Sequence, residues 1–338
     1  MEMRVDFHTH IIPEDIPDFV ERFGGGRWPT LEKMCSCGAN IMVEGKVFRE
    51  VTDQVWSPEK RIEDMNNEGV DIQVLSPIPV TFSYWAKPEQ AEEMAKIQND
   101  FIAKTVKENP DRFIGLGTVP LQDVEVSIRE MERCVKDLGL KGIEIGTNIN
   151  GKNLDDPAFT SFFEMAEKWE VPLFIHPWET LGKERMPRHN FMYTVGMPSE
   201  TALAAASLIN GAVMEKFPDL KICFAHGGGS FPYILPRLDQ GWNVWPDIRK
   251  ISKPPSFYAK KFYFDSLNYD PVNLKYLIDR FGYEKIVMGS DYPFLLREIN
   301  PGKVIDETIE LTEIERNAIL GKNALDFLNV DIREVANK

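Results

Sequence analysis

Histidine is scarce in this 338-residue chain, with five in all, yet His8 and His10 stand one residue apart in "VDFHTH" (5–10). His176 closes the apolar run "VPLFIHP", His226 closes "KICFAHGG", and Asp291 follows "KIVMGS". Three imidazoles and a carboxylate suit a borderline divalent metal such as Zn²⁺, and Co²⁺, Mn²⁺ or Fe²⁺ accept the same donors. A water on such a metal needs a base, and a fourth histidine outside the ligand set fits that task. The assignment is therefore His8, His10, His176 and Asp291 as ligands of one metal, with His226 as the base. Taken singly, each histidine reads as a hydrogen-bonded loop residue, Asp291 as a helix cap and "HGGG" as a turn. Their joint placement after apolar runs is what argues for a shared site. Placing His226 on a second metal is weaker, because the fourth run, "IEIGTN" (143–148), offers no lysine to bridge two ions.

Something must bring residues so distant in sequence together. Eight apolar runs rich in Val, Ile and Phe recur at 4–10, 70–77, 113–121, 140–147, 171–177, 220–228, 262–266 and 285–293. Runs of this length without strict alternation suit strands buried on both faces of a parallel sheet. Helical patterns fill the intervals at 58–68, 88–109, 123–137, 157–169, 198–216, 232–249 and 271–281, with a last set from about 303 to 328. Ser57–Pro58, Asp156–Pro157 and Asp270–Pro271 are cap-and-proline starts. This alternation predicts an α/β fold, a (β/α)₈ TIM barrel, with a doubly wound open sheet as the alternative. In a barrel all strand C-termini emerge on one face, so the four histidines and Asp291 converge there; residues two apart on a strand share a face, so His8 and His10 point together.

One interval is too long for an ordinary connection. Residues 13–57 hold "RFGGGRW" (22–28) and the alternating stretch "IMVEGKVFREV" (41–51), read as a hairpin turning at Glu44–Gly45. An insertion there sits where a lid or pocket wall belongs. With no repeat or linker elsewhere, a single domain spanning 1–338 is expected.

Thirty-nine basic against 53 acidic residues give −14, which argues against nucleic acid or an anionic membrane as partner but leaves a small anion open. No run spans a bilayer and no signal peptide is visible, so a cytoplasmic protein is expected. Cys35, Cys37, Cys134 and Cys223 are too few for a disulfide framework. Cys35 and Cys37 form a C-x-C pair in "MCSCGAN" with no second pair, so reduced thiols are preferred over a zinc knuckle.

H-x-H on the first run, "HPW" on the fifth, "FAHGGGSFP" on the sixth and "GSDYPF" on the eighth resemble the decarboxylase branch of the amidohydrolase superfamily. The resemblance extends through "GKVFREV" (45–51), "FSYWAKPE" (82–89), "GLGTVPLQ" (115–122), "MERCVKDLG" (131–139) and "VGMPSET" (195–201), nearly the whole chain. It implies a metal-dependent, oxygen-independent decarboxylase of a conjugated dicarboxylate, as in tryptophan breakdown by the kynurenine route, and a homodimer. By the same resemblance Arg49 binds a substrate carboxylate and Arg237 reaches the neighbouring subunit's site. Arginine suits both roles because its fork matches a carboxylate bidentately. Phe294 and Phe48 are candidate walls for a planar substrate.

Two stretches depart from the family pattern. The segment 185–201, "RMPRHNFMYTVGMPSET", carries His189, Asn190 and Tyr193 where the family has a tryptophan-rich stretch, and "DYPFLLREIN" adds Arg297. A related carboxylated aromatic or semialdehyde is therefore a second possible substrate. A hydrolase of a lactone or amide needs the same metal and base, and a silent metal-binding scaffold is a third reading.

Overall fold

Each of the eight apolar runs contributes strand to the structure, a computed structural model that describes residues 3–248 and 250–331. In chain order the strands begin with β1 Val5–Ile11, β2 Thr30–Cys35, β3 Gly38–Val43, β4 Lys46–Thr52 and β5 Ile72–Pro77. They continue with β6 Phe113–Gly115, β7 Gly117–Thr118, β8 Ile143–Gly146, β9 Asn148–Ile149 and β10 Lys152–Asn153. The last are β11 Leu173–His176, β12 Ile222–Phe224, β13 Tyr263–Asp265 and β14 Ile286–Val287.

The fold is α/β, with two all-parallel sheets in the orders β1-β5-β6 and β7-β8-β11-β12-β13-β14. The run expected as one strand over 113–121 divides at Leu116, whose N–H donates to Leu75 of the first sheet, while Gly117 donates to Gly142 toward the second. At the opposite edges, Phe7 N–H donates to the Met288 carbonyl (2.8 Å), Asp291 N–H to His8 (2.9 Å) and His10 N–H to Tyr292 (2.8 Å). Backbone hydrogen bonds thus tie β1 to the chain just after β14.

The helices start where the sequence signals them. Ser57 accepts from Lys60 N–H ahead of the helix Pro58–Glu68, which stops at Gly69 with φ of +71°. Asp156 and Asp270 cap their own helical turns in the same way. Side-chain caps satisfy N–H groups that the first turn leaves without partners, and proline at the first position costs nothing there. Among the described residues no helix is long and apolar enough to cross a membrane.

Between β1 and the helix Pro58–Glu68 the chain makes a short helix, Phe19–Phe23, and an antiparallel sheet in the order β2-β3-β4. The β3–β4 turn falls at Glu44–Gly45, both with positive φ, as expected for a two-residue hairpin. The expected hairpin is in fact three strands. The strand β2 was hidden because it is mostly exposed and pairs only with β3, so its residues "TLEKMC" carry no apolar alternation. This sheet packs through Ala39 and Ile41 onto Ile12, Val55, Trp56, Ile78 and Val80.

A β-bulge in β1 sets the direction of its side chains. The register of β1 with β5 slips between Asp6 and Thr9. A bulge changes which residues share a face. Phe7 and His8, though adjacent, both touch the Phe174 ring, with centroids 5.1 and 5.0 Å away. Phe7 also meets Phe327 at 5.5 Å, so it closes the apolar floor below the histidines.

Candidate metal centre

His8 and His10 are fully buried on β1, His176 ends β11, His226 follows β12 by two residues, and Asp291 follows β14 by four. One ligand atom from each of His8, His10, His176 and Asp291 lies within 4.8 Å of every other. His8 Nε2 and His10 Nε2 are 3.1 Å apart, and Asp291 Oδ1 is 3.5 and 3.3 Å from them. The four side chains assigned as ligands are therefore brought together, and His226 stands beside them with Nε2 3.9 Å from Asp291 Oδ2.

The other ring nitrogens fix the tautomers. His8 Nδ1–H donates to Asp265 Oδ2 at 2.6 Å, His10 Nδ1–H to the Pro77 carbonyl at 2.9 Å, and His176 Nδ1–H to the Pro177 carbonyl at 3.0 Å. With the proton on Nδ1, each ring turns an Nε2 lone pair inward. Two lone pairs then face each other beside a carboxylate oxygen, Asp291 Oδ1, that is buried with no hydrogen-bond partner. Protein groups alone leave this arrangement repulsive, and a divalent cation relieves it. The donor set fits the metal that the residue types imply.

Electrostatics agree. Burial pulls His10 down to about 4, and burial together with the neighbouring imidazoles holds His176 well below its ordinary value. Both are neutral near pH 7, the state a ligand needs. Burial pushes Asp291 upward, but the imidazoles of His10, His226 and His8 around it outweigh that and hold the carboxyl well below the usual range. For His226 burial works downward, while Asp291 and Asp265 prevail and raise it above its ordinary value. Separately, burial keeps Glu144, with Oε1 3.9 Å from His10 Nδ1, well above the carboxylate range.

Backbone conformation aims two of these groups. His226 has φ of +56° and Asp291 of +64°, in the left-handed region that side chains rarely occupy. His226 N–H is held by Asp265 Oδ2 at 2.8 Å, and Asp291 N–H by the His8 carbonyl. The glycines after His226 are required by space: a Cβ on Gly227 would overlap the Asn268 amide, and one on Gly229 the Pro198 backbone. "HGGG" is a packed turn, not a slack one.

Arg49 on β4 lies with its guanidinium 4.0 Å from the Phe294 ring centroid, and Phe294 in turn stacks on His10 at 5.3 Å and 29°. Phe48 and Tyr193 flank the same guanidinium at 5.7 and 5.6 Å. Arg49, Phe294 and Phe48 are thus placed at the cluster, and Tyr193 belongs to the segment that departs from the family pattern. Arg237 is not: it is exposed on the helix Phe231–Val244 and joined to the cluster by no contact among the described residues. Arg297 is committed elsewhere, in a two-pronged pair with Glu68 at 2.9 and 3.1 Å.

Two residues escaped the sequence reading. Asp265 ends β13 and accepts from His8, from His226 and Gly227 N–H, and from Leu267 N–H. The signal was present in "FYFDS", an acid closing an apolar run as Asp291 does. Arg61 is fully buried and donates to the His10 carbonyl at 2.7 Å, pinning the end of β1 to the helix Pro58–Glu68. Nothing in its sequence neighbourhood separates it from an exposed helix arginine.

Comparisons with known proteins agree with this geometry. The chain is 49% identical, over 97% of its length and 92% of the relative's, to 2-amino-3-carboxymuconate-6-semialdehyde decarboxylase of Dictyostelium discoideum. It is 36% identical to the protein of that name in Caenorhabditis elegans, over 99% of this chain and 96% of that one. Among solved structures, 5-carboxyvanillate decarboxylase of Novosphingobium aromaticivorans, complexed with manganese and 4-hydroxy-3-methoxy-5-nitrobenzoic acid, superposes with a TM-score of 0.80 at 23% identity, covering 97% of this chain and 96% of that one. The amidohydrolase family profile matches residues 5–330. The chain belongs to the amidohydrolase family and is a metal-dependent decarboxylase.

Proposed function

We propose that the protein decarboxylates 2-amino-3-carboxymuconate-6-semialdehyde. The observation that carries the choice of substrate is 49% identity across 97% of the chain to the Dictyostelium enzyme of that name. The physical reading beside it is an arginine seated among aromatic rings next to the ligand cluster, which suits a planar, conjugated anion.

In this reading His8, His10, His176 and Asp291 hold one divalent ion. Zn²⁺ is favoured by the three imidazoles, with Co²⁺, Mn²⁺ or Fe²⁺ able to serve. When bound, the ion supplies a Lewis acid that lowers the pKa of water. With the ion in place, His226 Nε2 would take a proton from the activated water, and the water oxygen would add to the carbon next to the one bearing the carboxylate that leaves. His226 would pass the proton to the carboxylate-bearing carbon. Cleavage of the carbon–carbon bond to the carboxylate would then release CO₂ and push out the added oxygen as hydroxide, which takes a proton from solvent as the diene re-forms. Arg49 holds a carboxylate, Phe294 and Phe48 wall the plane, and the sheet β2-β3-β4 serves as pocket wall.

Two larger features belong to the proposal. The two parallel sheets form one closed (β/α)₈ barrel in a single domain, supported by the hydrogen bonds from Phe7 to Met288 and from His10 to Tyr292. The enzyme is a homodimer in which Arg237 reaches the neighbouring site, supported by its exposure and by exposed Tyr233, Leu295 and Leu296 in segments after the strand ends.

The test is a comparison of kcat/KM for this semialdehyde and for 5-carboxyvanillate with metal-loaded protein. The proposal expects the semialdehyde to be preferred by about a hundredfold or more, ~2.7 kcal/mol in transition-state stabilisation. Preference for the ring acid, or turnover of a lactone without CO₂, overturns it.

A further inference from the structure

The turn between β2 and β3 holds two thiols that the decarboxylase reading does not use. Cys35 ends β2 and Cys37 is the second residue of the two-residue turn, and their sulfurs are 2.9 Å apart. Both are exposed, whereas Cys134 and Cys223 are buried. From this geometry we infer that Cys35 and Cys37 form a reversible dithiol–disulfide pair that exchanges with low-molecular-weight disulfides such as oxidised glutathione.

Three observations support it. A disulfide needs the sulfurs to close by about 0.9 Å, a small side-chain rotation, and residues two apart in a tight turn have Cα atoms near the usual disulfide separation of about 5.5–6 Å. The pair is not crowded from the Gly38 side, where even a Cβ would meet Cys35 Sγ only at an ordinary contact of 3.5 Å. The thiols are also unequal: the hydrogen bond from Cys37 holds the Cys35 thiol below its ordinary value, and Cys37 is correspondingly raised. By contrast burial holds Cys134 and Cys223 well above theirs, which makes them inert.

The exchange balances without any other reactant. The Cys35 thiolate attacks one sulfur of glutathione disulfide, breaking that bond and releasing one glutathione thiolate. Cys37 loses its proton and attacks the Cys35 sulfur of the mixed disulfide, forming the Cys35–Cys37 bond and releasing the second glutathione. Two electrons pass from the protein to glutathione disulfide.

The position gives the pair a route to the site. The Cys37 carbonyl accepts from Asp53 N–H at 3.1 Å, at the end of the strand that carries Arg49. Val55, two residues on, accepts from Ile12 N–H just past His10.

The test incubates metal-loaded protein in glutathione buffers of varied ratio, quenches with an alkylating agent and maps Met34–Lys46, which trypsin releases with both thiols in one fragment. Expected is a fragment lighter by two hydrogens that regains both on reduction, while Cys134 and Cys223 stay alkylatable after unfolding. Cys37→Ser should instead hold one glutathione on Cys35. Closure in the folded protein should be favoured over the free synthetic peptide 34–46 by on the order of tenfold. Two persistent thiols in excess oxidised glutathione, a stable glutathione adduct on the wild type, or equal closure in protein and peptide would each overturn the inference.

Discussion

Asp265→Asn should weaken metal binding, and the structure says by how much. Oδ2 of Asp265 accepts from His8 Nδ1–H (2.6 Å) and His226 N–H (2.8 Å), and Oδ1 accepts from Gly227 N–H (2.7 Å) and Leu267 N–H (3.1 Å). An asparagine must put its NH₂ at one of these two positions. At the Oδ1 position it leaves two buried backbone N–H groups without acceptors. At the Oδ2 position it leaves only His226 N–H, because His8 can accept at Nδ1 by moving its proton to Nε2. The second arrangement therefore wins in the metal-free protein, and it points an N–H of His8 at the metal. Binding the ion forces the amide round and orphans one more donor, a cost of about 1–3 kcal/mol. That predicts a metal affinity lower by roughly 10- to 100-fold, the range typical when a ligand histidine loses its carboxylate partner. The assay is competition for the ion against a chromophoric chelator at fixed pH, with thermal unfolding of the metal-free variant as a check on folding. An affinity within about threefold of wild type, in a folded variant, refutes the tautomer argument.

Other substitutions separate the remaining roles. His226→Ala should keep its metal, by elemental analysis, and lose about a hundred- to ten-thousand-fold in kcat, the usual worth of a positioned base. Arg49→Gln should raise KM for the dicarboxylate by roughly 10- to 100-fold, from a charge-assisted hydrogen bond of about 1.5–3 kcal/mol, with Arg49→Lys recovering part; an unchanged KM in both would remove Arg49 from substrate binding. Asp6 tests the pH dependence of stability. Burial raises its carboxyl to about 7 although Ser290 donates to it from both Oγ and N–H. A folded value above the unfolded one of about 3.9 means the native state holds the extra proton. Its contribution is thus full below about pH 4 and lost as pH rises through 7, up to about 4 kcal/mol. Asp6→Asn, which does not titrate, should gain in unfolding temperature relative to wild type between pH 5 and pH 8; a constant difference contradicts this.

The clustering of His8, His10, His176 and Asp291 was legible because they have scarce types and close apolar runs, and parallel strands deliver their C-terminal ends to one face. Helix starts were legible for a local reason: Ser57, Asp156 and Asp270 each satisfy their own first turn. What was hidden depended on distance or exposure. The strand β2 shows no alternation because it is exposed, and the bulge that lets Phe7 and His8 face the same ring is set by pairing with β5. Asp265 carried the same strand-end signal as Asp291 yet bonds His8 instead of joining the cluster itself, and Arg61 reaches the cluster through the His10 carbonyl 51 residues away. Arg297 stands out in sequence only as a departure from the family pattern, and its pairing with Glu68 is visible only in the fold.

The most direct test of the central claim is CO₂ release from freshly generated 2-amino-3-carboxymuconate-6-semialdehyde by wild type and Asp291→Ala, each first stripped by chelation and then given one equivalent of Zn²⁺ or Mn²⁺. The reloaded wild type should release one CO₂ per substrate consumed, the stripped protein none, and the variant, which lacks the anionic ligand, none. Release that survives metal removal, or that Asp291→Ala retains, would contradict that claim.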